Sequence, residues 1–311
     1  MRYLHVRKIE VNSHNSLRNQ VVLTVRIQGG LGNQMFQYAF ARALQRRGLS
    51  VAMHWHPPRR KSLHTGYSLD SVFAAPLKHN VPLRNDRLLS SITDTVHRKF
   101  YRIRQSSNVG FDPTLLEIES GYIDGYFQSA RYFADFSEQI RKELAFRKIS
   151  GPKNAELLEW IDKNFVVAVH IRGGDYLNRG AHSGDMGVVC GPAYYQAALQ
   201  EMDKQQPTAS YLVFSDDFDY ANRLMGDRGF RNVDWNTGQD SWKDMALMSC
   251  CSAHITANSS FSWWGSWLAD SKLRIMPRPW FPAFAASYNH DIYPDGAVTL
   301  KCPESPAGVN D

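Results

Sequence analysis

The sequence predicts an α/β protein built on parallel, doubly wound sheets, and two observations lead there. Beyond residue 151, strand-length apolar runs alternate with helical segments. They read as helix 154–163, strand 165–171, helix 192–204, strand 210–214, helix 218–226, strand 232–235, helix 241–251, strand 254–257, helix 260–270 and strand 272–277. Strands that alternate with helices pair in parallel and are covered on both faces, so they read as continuous apolar runs. Near the N-terminus, a strand over 21–28, a glycine-rich turn, a helix over 33–47 and a strand over 49–55 form a β-α-β start.

The rest of the chain divides around these blocks. Residues 1–20 read as a polar, basic arm. His56 to Lys61 is a basic loop, and 86–89 and 95–100 hint at helices. A strand over Tyr122 to Phe127 precedes a helix over 130–147. Lys148-Ile149-Ser150-Gly151-Pro152-Lys153 carries the punctuation of a domain boundary. The expected organisation is therefore an arm at 1–20, an α/β domain at 21–150 and a second at 151–311, ending in a Pro-rich tail from 278.

Composition narrows the functional classes. With 311 residues and 43% hydrophobic side chains, the chain can hold two medium domains. A formal net charge of +6 suits an anionic ligand, and is compatible with peripheral association at an anionic membrane surface. No zinc-finger, homeodomain or RNA-binding signature appears, so nucleic acid is not an expected partner. The four cysteines, Cys190, Cys250, Cys251 and Cys302, show neither a disulfide framework nor zinc spacing. No stretch approaches roughly 18 apolar residues, and the first twenty residues lack an apolar signal core. A cytoplasmic location is expected.

Three turns carry the candidate chemistry. The apolar strand Phe165 to Val169 runs into His170, Arg172, Gly173, Gly174 and Asp175. Ligands of open α/β sheets bind at the carboxyl ends of strands, so Arg172 stands where a phosphate would; an ordinary turn with a solvated Arg is the other reading. Strand 21–28 runs into Gly29-Gly30-Leu31-Gly32-Asn33-Gln34. A glycine-rich turn that opens a helix aims backbone N–H groups and partial positive charge at one spot. It is not a dinucleotide turn: Met35 stands where a third glycine would, and strand 49–55 leads into His56-Pro57-Pro58-Arg59-Arg60 with no acidic residue for a ribose. The third turn, Asn258-Ser259-Ser260-Phe261, can cap a helix or bind phosphate, and Trp263, Trp264 and Trp267 follow at helical spacing, as core residues do.

Seven segments then bring a family into view: GGLGNQMFQYA, YIDGYFQSARYF, HIRGGDY, CGPAYYQAAL, FSDD, DMALMS and ANSSFSWWGSWL, in this order over roughly residues 22–280. Together they resemble the α1,2-fucosyltransferases of the bacterial type. The resemblance implies a GT-B-like fold, with two Rossmann-like domains and a cleft between them. It implies inverting transfer of L-fucose from GDP-fucose to the 2-hydroxyl of a terminal galactose in a glycan, with no metal and no further cofactor. The N-terminal domain would take the acceptor and the C-terminal domain the donor. A relative that binds nucleotide or glycan without turnover is the alternative.

Within that reading the residues take provisional roles. Arg172 would neutralise the leaving diphosphate, with backbone groups around Gly30, Gly32, Asn33 and Gln34 and the turn Ser259, Ser260 and Phe261 completing the cradle. Asp216, after the strand ending in Ser215, would accept from guanine or cap the next helix. His170 would contact the nucleoside or serve as a core histidine. Asp124 and Asp175 are the candidate bases. Asp216-Asp217 are adjacent rather than spaced, which disfavours a metal clamp. Two departures stand out. The family's His-x-Arg-Arg-Gly-Asp has Gly173 at its second Arg, and its Cys-x-His before the Asn-Ser-Ser turn appears as Cys251-Ser252-Ala253-His254. The first suggests a loosened loop, so Gly173→Arg is expected to strengthen donor binding.

Overall fold

The computed structural model describes residues 23–55, 66, 68–75, 77, 102–104, 110–173, 190–281 and 291–302. Two parallel sheets organise them. The first has the order β2-β1-β4-β3, from β1 (Leu23–Ile27), β2 (Val51–Trp55), β3 (Arg102–Arg104) and β4 (Gly121–Asp124). The second has the order β10-β9-β8-β5-β6-β7. Its strands are β5 (Val166–Ile171), β6 (Ser210–Ser215), β7 (Phe230–Asn232), β8 (Ala253–Ile255), β9 (Leu273–Arg278) and β10 (Val298–Lys301). Every pairing between these strands is parallel. All six residues of β5 are buried, as befits a central strand covered on both faces.

The helices are α1 (Leu31–Arg46), α2 (Leu69–Val72), α3 (Ser137–Glu143), α4 (Pro152–Lys163), α5 (Pro192–Gln205), α6 (Phe218–Met225), α7 (Trp242–Met248) and α8 (Ser260–Leu268). Four sequence expectations differ. The strand expected to reach Phe127 stops at Asp124, because Phe127 takes φ 51°, outside any strand conformation. The helix expected over 130–147 is a 3-10 turn, Ala130–Phe136, broken at Phe133 (φ −130°) before α3 begins. The strand expected at 232–235 lies earlier, at Phe230–Asn232. The supposed tail contains β10, which adds to the sheet edge with Val298 opposite Ile275 and Lys301 opposite Arg278. The basic loop after 55 and the helical hints at 86–89 and 95–100 lie outside the described residues.

The two sheets are joined by a shared core. Phe36 on α1 meets Trp263 and Trp264 on α8 at ring separations of 4.4 and 4.9 Å, and Phe133 stacks on Trp264 at 5.7 Å. The tryptophans are core residues, as their spacing suggested. Two of them also donate across the fold: Trp263 to the Ile292 carbonyl (2.7 Å) and Trp264 to the Gly32 carbonyl (2.9 Å). At that second contact a Cβ on Gly32 would lie 2.6 Å from the carbonyl carbon of Ser260 and 2.7 Å from its oxygen. Only glycine lets the first turns of α1 and α8 touch. No helix among the described residues is long and apolar enough to cross a membrane.

Gly32→Ala forces backbone against backbone. We expect it to destabilise the fold by about 1–3 kcal/mol, measured by denaturant unfolding, and to weaken any ligand held by either turn. An unchanged midpoint would show that the contact is loose.

Candidate functional site

Strand order locates the crevices. In the second sheet β5, β6 and β7 follow one another outward on one side of β5 while β8, β9 and β10 follow outward on the other, so the order reverses between β5 and β8. In the first sheet it reverses between β1 and β4. Open α/β sheets bind ligands at such reversals, beyond the carboxyl ends of the strands. Ile171-Arg172-Gly173 and Thr256 to Ser260 leave the second reversal; Gln28-Gly29-Gly30 and Asp124-Gly125 leave the first. The Gly32–Ser260 contact brings the two together.

Both meeting helices point their N-termini here. In α1 the first intrahelical bond is Gln34 N to the Gly30 carbonyl (3.0 Å). The amides of Leu31, Gly32 and Asn33 therefore have no carbonyl one turn back. Gly30 caps the helix in an extended conformation without a side-chain acceptor, and Gly29 turns the chain at φ 80°. In α8 Ser259 is the cap, its hydroxyl accepting from Phe261 N (3.3 Å). Ser260, half-buried, lies against Gly32. Two positive helix ends in contact make a site for an anion.

The second sheet adds charge. His170 is buried with its ring 5.8 Å from Phe261, and its Nδ1 has no hydrogen-bond partner. Burial, and then the charge of Arg172, push its pKa down to about 3, so the ring is neutral near pH 7. Arg172 Nε lies 3.8 Å from Asp216 Oδ2, and Asp216 Oδ1 accepts from Gly173 N (2.9 Å). Asp216 thus holds the loop after β5, a role not anticipated for it. The helix cap expected of one of the two aspartates is Asp217, which accepts from Tyr220 N (2.9 Å).

Gly173 also departs from expectation. A Cβ there would meet Tyr220 Cδ1 at 2.8 Å and Asp217 Cβ at 3.1 Å. A side chain at this position requires the Tyr220 ring or the Asp217 side chain to shift. These contacts weigh against the expectation that Gly173→Arg would strengthen the site.

At the first reversal, Asp124 Oδ2 accepts from Arg26 (3.0 Å) and Oδ1 from Gln28 Nε2 (3.0 Å). Gln28 N in turn donates to Gln37 Oε1 (2.8 Å), and Gln37 Nε2 to the Gly125 carbonyl (3.0 Å). Gln34, expected at the ligand, spends its side chain inside the protein. It donates to the Gly29 and Gly66 carbonyls (both 2.8 Å) and accepts from Ser68 N (3.0 Å). Asn33 accepts from Gln128 (2.7 Å). Gly174 and Asp175 lie outside the described residues. Among the described residues no three His, Cys, Asp or Glu side chains gather to hold a metal ion.

Sequence reasoning missed the supports behind the crevice. Tyr194 donates to the Thr256 carbonyl (2.6 Å) and Tyr195 to the His170 carbonyl (3.1 Å), so adjacent tyrosines on α5 fix the ends of β8 and β5. Their signal was visible: two polar-tipped aromatics side by side in a helix pattern, whose hydroxyls need partners once buried.

Known proteins share this sequence pattern. An alpha-1,2-colitosyltransferase of Escherichia coli is 29% identical over 276 residues, covering 84% of this chain and 92% of that one. The O-antigen biosynthesis glycosyltransferase WbnK of Escherichia coli is 28% identical over 290 residues, covering 82% and 93%. Galactoside alpha-(1,2)-fucosyltransferase 1 of Alouatta belzebul is 25% identical over 256 residues, covering 79% of this chain and 65% of that one. Among solved structures, NodZ alpha-1,6-fucosyltransferase soaked with GDP-fucose superposes with a TM-score of 0.44 at 15% identity, over 80% of this chain and 93% of that one. Residues 4–280 match glycosyl transferase family 11, and the chain belongs to that family of glycosyltransferases.

Proposed function

We propose that the chain moves L-fucose from GDP-fucose to the 2-hydroxyl of a terminal galactose in a glycan, with inversion. The observation behind this reading is the meeting of two helix N-termini at Gly32 and Ser260, with Arg172 following the central strand β5, in a family 11 chain. In the proposed division, residues 151–311 hold the donor and 21–150 the acceptor.

The chemistry follows from charge. As the acceptor oxygen attacks the anomeric carbon, the bond from that carbon to the diphosphate oxygen breaks and negative charge grows on the diphosphate. The guanidinium of Arg172 and the first-turn amides at Gly30, Gly32, Asn33 and Ser260 oppose that charge without a metal. Neutral His170, with an unpartnered Nδ1 beside the Phe261 ring, faces the nucleoside. Asp124, the described carboxylate at the first reversal, takes the acceptor proton, with Arg26 and Gln28 orienting it.

The reading of a binder without turnover drew on Gly173 as a lost arginine. A glycine packed against Tyr220 weighs against that ground, because the residue fits its surroundings as it stands. Because a relative is named a colitosyltransferase, GDP-colitose is the second donor to test.

Incubated with GDP-fucose and lactose in excess EDTA, the protein is expected to release GDP and form a 2-fucosylated product. Arg172→Lys keeps the charge but loses the two-pronged contact, and is expected to lower kcat by about 10²–10³. Turnover with GDP-colitose alone reassigns the donor; turnover that needs an added divalent cation ends the metal-free mechanism.

Asp124→Asn is expected to bind GDP normally and transfer at least about 10²-fold more slowly. Arg26→Gln, which breaks the same ion pair but leaves the carboxylate, serves as control. Equal losses in both variants would reduce Asp124 to a structural partner.

The His170 ring binds a proton more weakly folded than unfolded. Its contribution to stability is therefore full above pH 6.5 and declines as pH falls from 6.5 towards 3. Melting temperatures of His170→Gln should fall less steeply than those of the unsubstituted protein across that window; parallel curves would show that the buried ring does not govern the acid limb.

A further inference from the structure

We infer that Asp216 is a positioning residue that aims Arg172 into the donor crevice, and that residue 173 is glycine because Tyr220 occupies the volume a side chain would need. This rests on the proposed role of Arg172 at the diphosphate.

Register places Asp216 for the task. β5 and β6 pair in parallel with Ile171 opposite Ser215, so the next residues, Arg172 and Asp216, leave the sheet side by side. One carboxylate then engages both parts of the loop, Gly173 N through Oδ1 and Arg172 Nε through Oδ2. The turn carrying Asp216 is itself fixed: the Ser215 hydroxyl donates to the Asp217 carbonyl (2.9 Å) and accepts from Asp217 N (3.0 Å). Beneath the loop, Tyr220 is anchored by its hydroxyl to the Cys190 carbonyl (3.3 Å) and meets the place of the missing Cβ.

The ion pair is not there for stability. Its side chains are 28% and 37% exposed, and pairs so open to water add little to folding. Its effect is directional: it limits the rotamers of a long side chain at the point where the diphosphate would sit. The carboxylate, with one oxygen committed to Gly173 N, is poorly free to read guanine as well.

A double-mutant cycle separates these roles. Asp216→Ala is expected to lower kcat/KM for GDP-fucose by about 10- to 100-fold, as misplacement of a reacting contact does. In the Arg172→Lys background the same substitution should cost less than about threefold, since residues acting through one another are not additive. A full loss in both backgrounds, with a weaker preference for GDP over inosine diphosphate as inhibitor, makes Asp216 a guanine contact and overturns the inference. Gly173→Ala is expected to lower both activity and melting temperature, and Tyr220→Val in the same chain to restore both. Failure to restore overturns the packing half. If the unsubstituted protein turns over neither GDP-fucose nor GDP-colitose, the donor reading fails by itself. The cycle is then read from the melting-temperature shift with whichever of GDP, UDP, ADP and CDP stabilises the protein. A shift from none of them overturns the role of Arg172 and the inference with it.

Discussion

One contact governs the arrangement: the backbone of Gly32 against the backbone of Ser260. Helix N-terminal ends carry partial positive charge, and two such ends do not approach each other without a compensating force. Here the force is apolar. Phe36, Phe133, Trp263 and Trp264 pack just behind the contact, and the Trp264 indole donates to the Gly32 carbonyl. A fully buried aromatic side chain contributes on the order of 2–3 kcal/mol by burial alone, more than a single exposed helix-end repulsion costs. The core thus holds two unfavourable ends together, and an anion between them relieves the repulsion.

The reversal in each sheet sets which residues can reach that point. A parallel strand delivers its carboxyl end and the next two or three residues to the crevice. Four strands, β1, β4, β5 and β8, end beside the reversals, and each delivers a polar turn: Gln28-Gly29-Gly30, Asp124-Gly125, Arg172-Gly173 and Asn258-Ser259. The supports come from the layer behind. Tyr194 grips the Thr256 carbonyl just past β8 and Tyr195 the His170 carbonyl near the end of β5, Gln37 grips Gly125, and the Cys190 thiol donates to Asn258 Oδ1 (3.7 Å). A crevice whose main chain is tied in this way presents its amides in fixed directions, and that fixity makes backbone donors effective against developing charge.

Much of this was legible in the sequence, and the exceptions share a cause. Buried strands and the glycine turn announce themselves locally: β5 is an unbroken apolar run, and Gly29 through Gly32 opens a helix where the strand ends. Long-range demand is what local pattern omits. β3 and β10 are three- and four-residue edge strands whose existence depends on β4 and β9 being there to pair with. The same holds at the site. Arg172, Gly30, Gly32, Ser259 and Ser260 lie at strand ends and helix starts beside the sheet reversals, where their turns implied. Gln34 and Asp216 look like ligand residues by type and place, and their side chains also bond within the fold, Gln34 to Gly29, Gly66 and Ser68, and Asp216 through Oδ1 to Gly173. A polar side chain beside a crevice serves either the ligand or the turn that shapes it, and sequence alone does not say which.

That division of labour bears on specificity. In the proposed reading the diphosphate is gripped mostly by main chain and one guanidinium. Backbone amides recognise charge and distance, and they accept any nucleoside diphosphate of the right shape. Selection of the base and of the sugar therefore has to come from side chains at the margins. On the donor side these are the neutral His170 and the Phe261 ring, where a buried imidazole nitrogen without a partner rewards a ligand that satisfies it and penalises one that does not. On the acceptor side they are Arg26, Gln28 and Asp124, three polar groups already hydrogen-bonded to one another. A sugar hydroxyl entering there joins a formed network and not a free carboxylate. Acceptor choice then depends on which hydroxyl can bond to Asp124 without breaking its hold on Arg26.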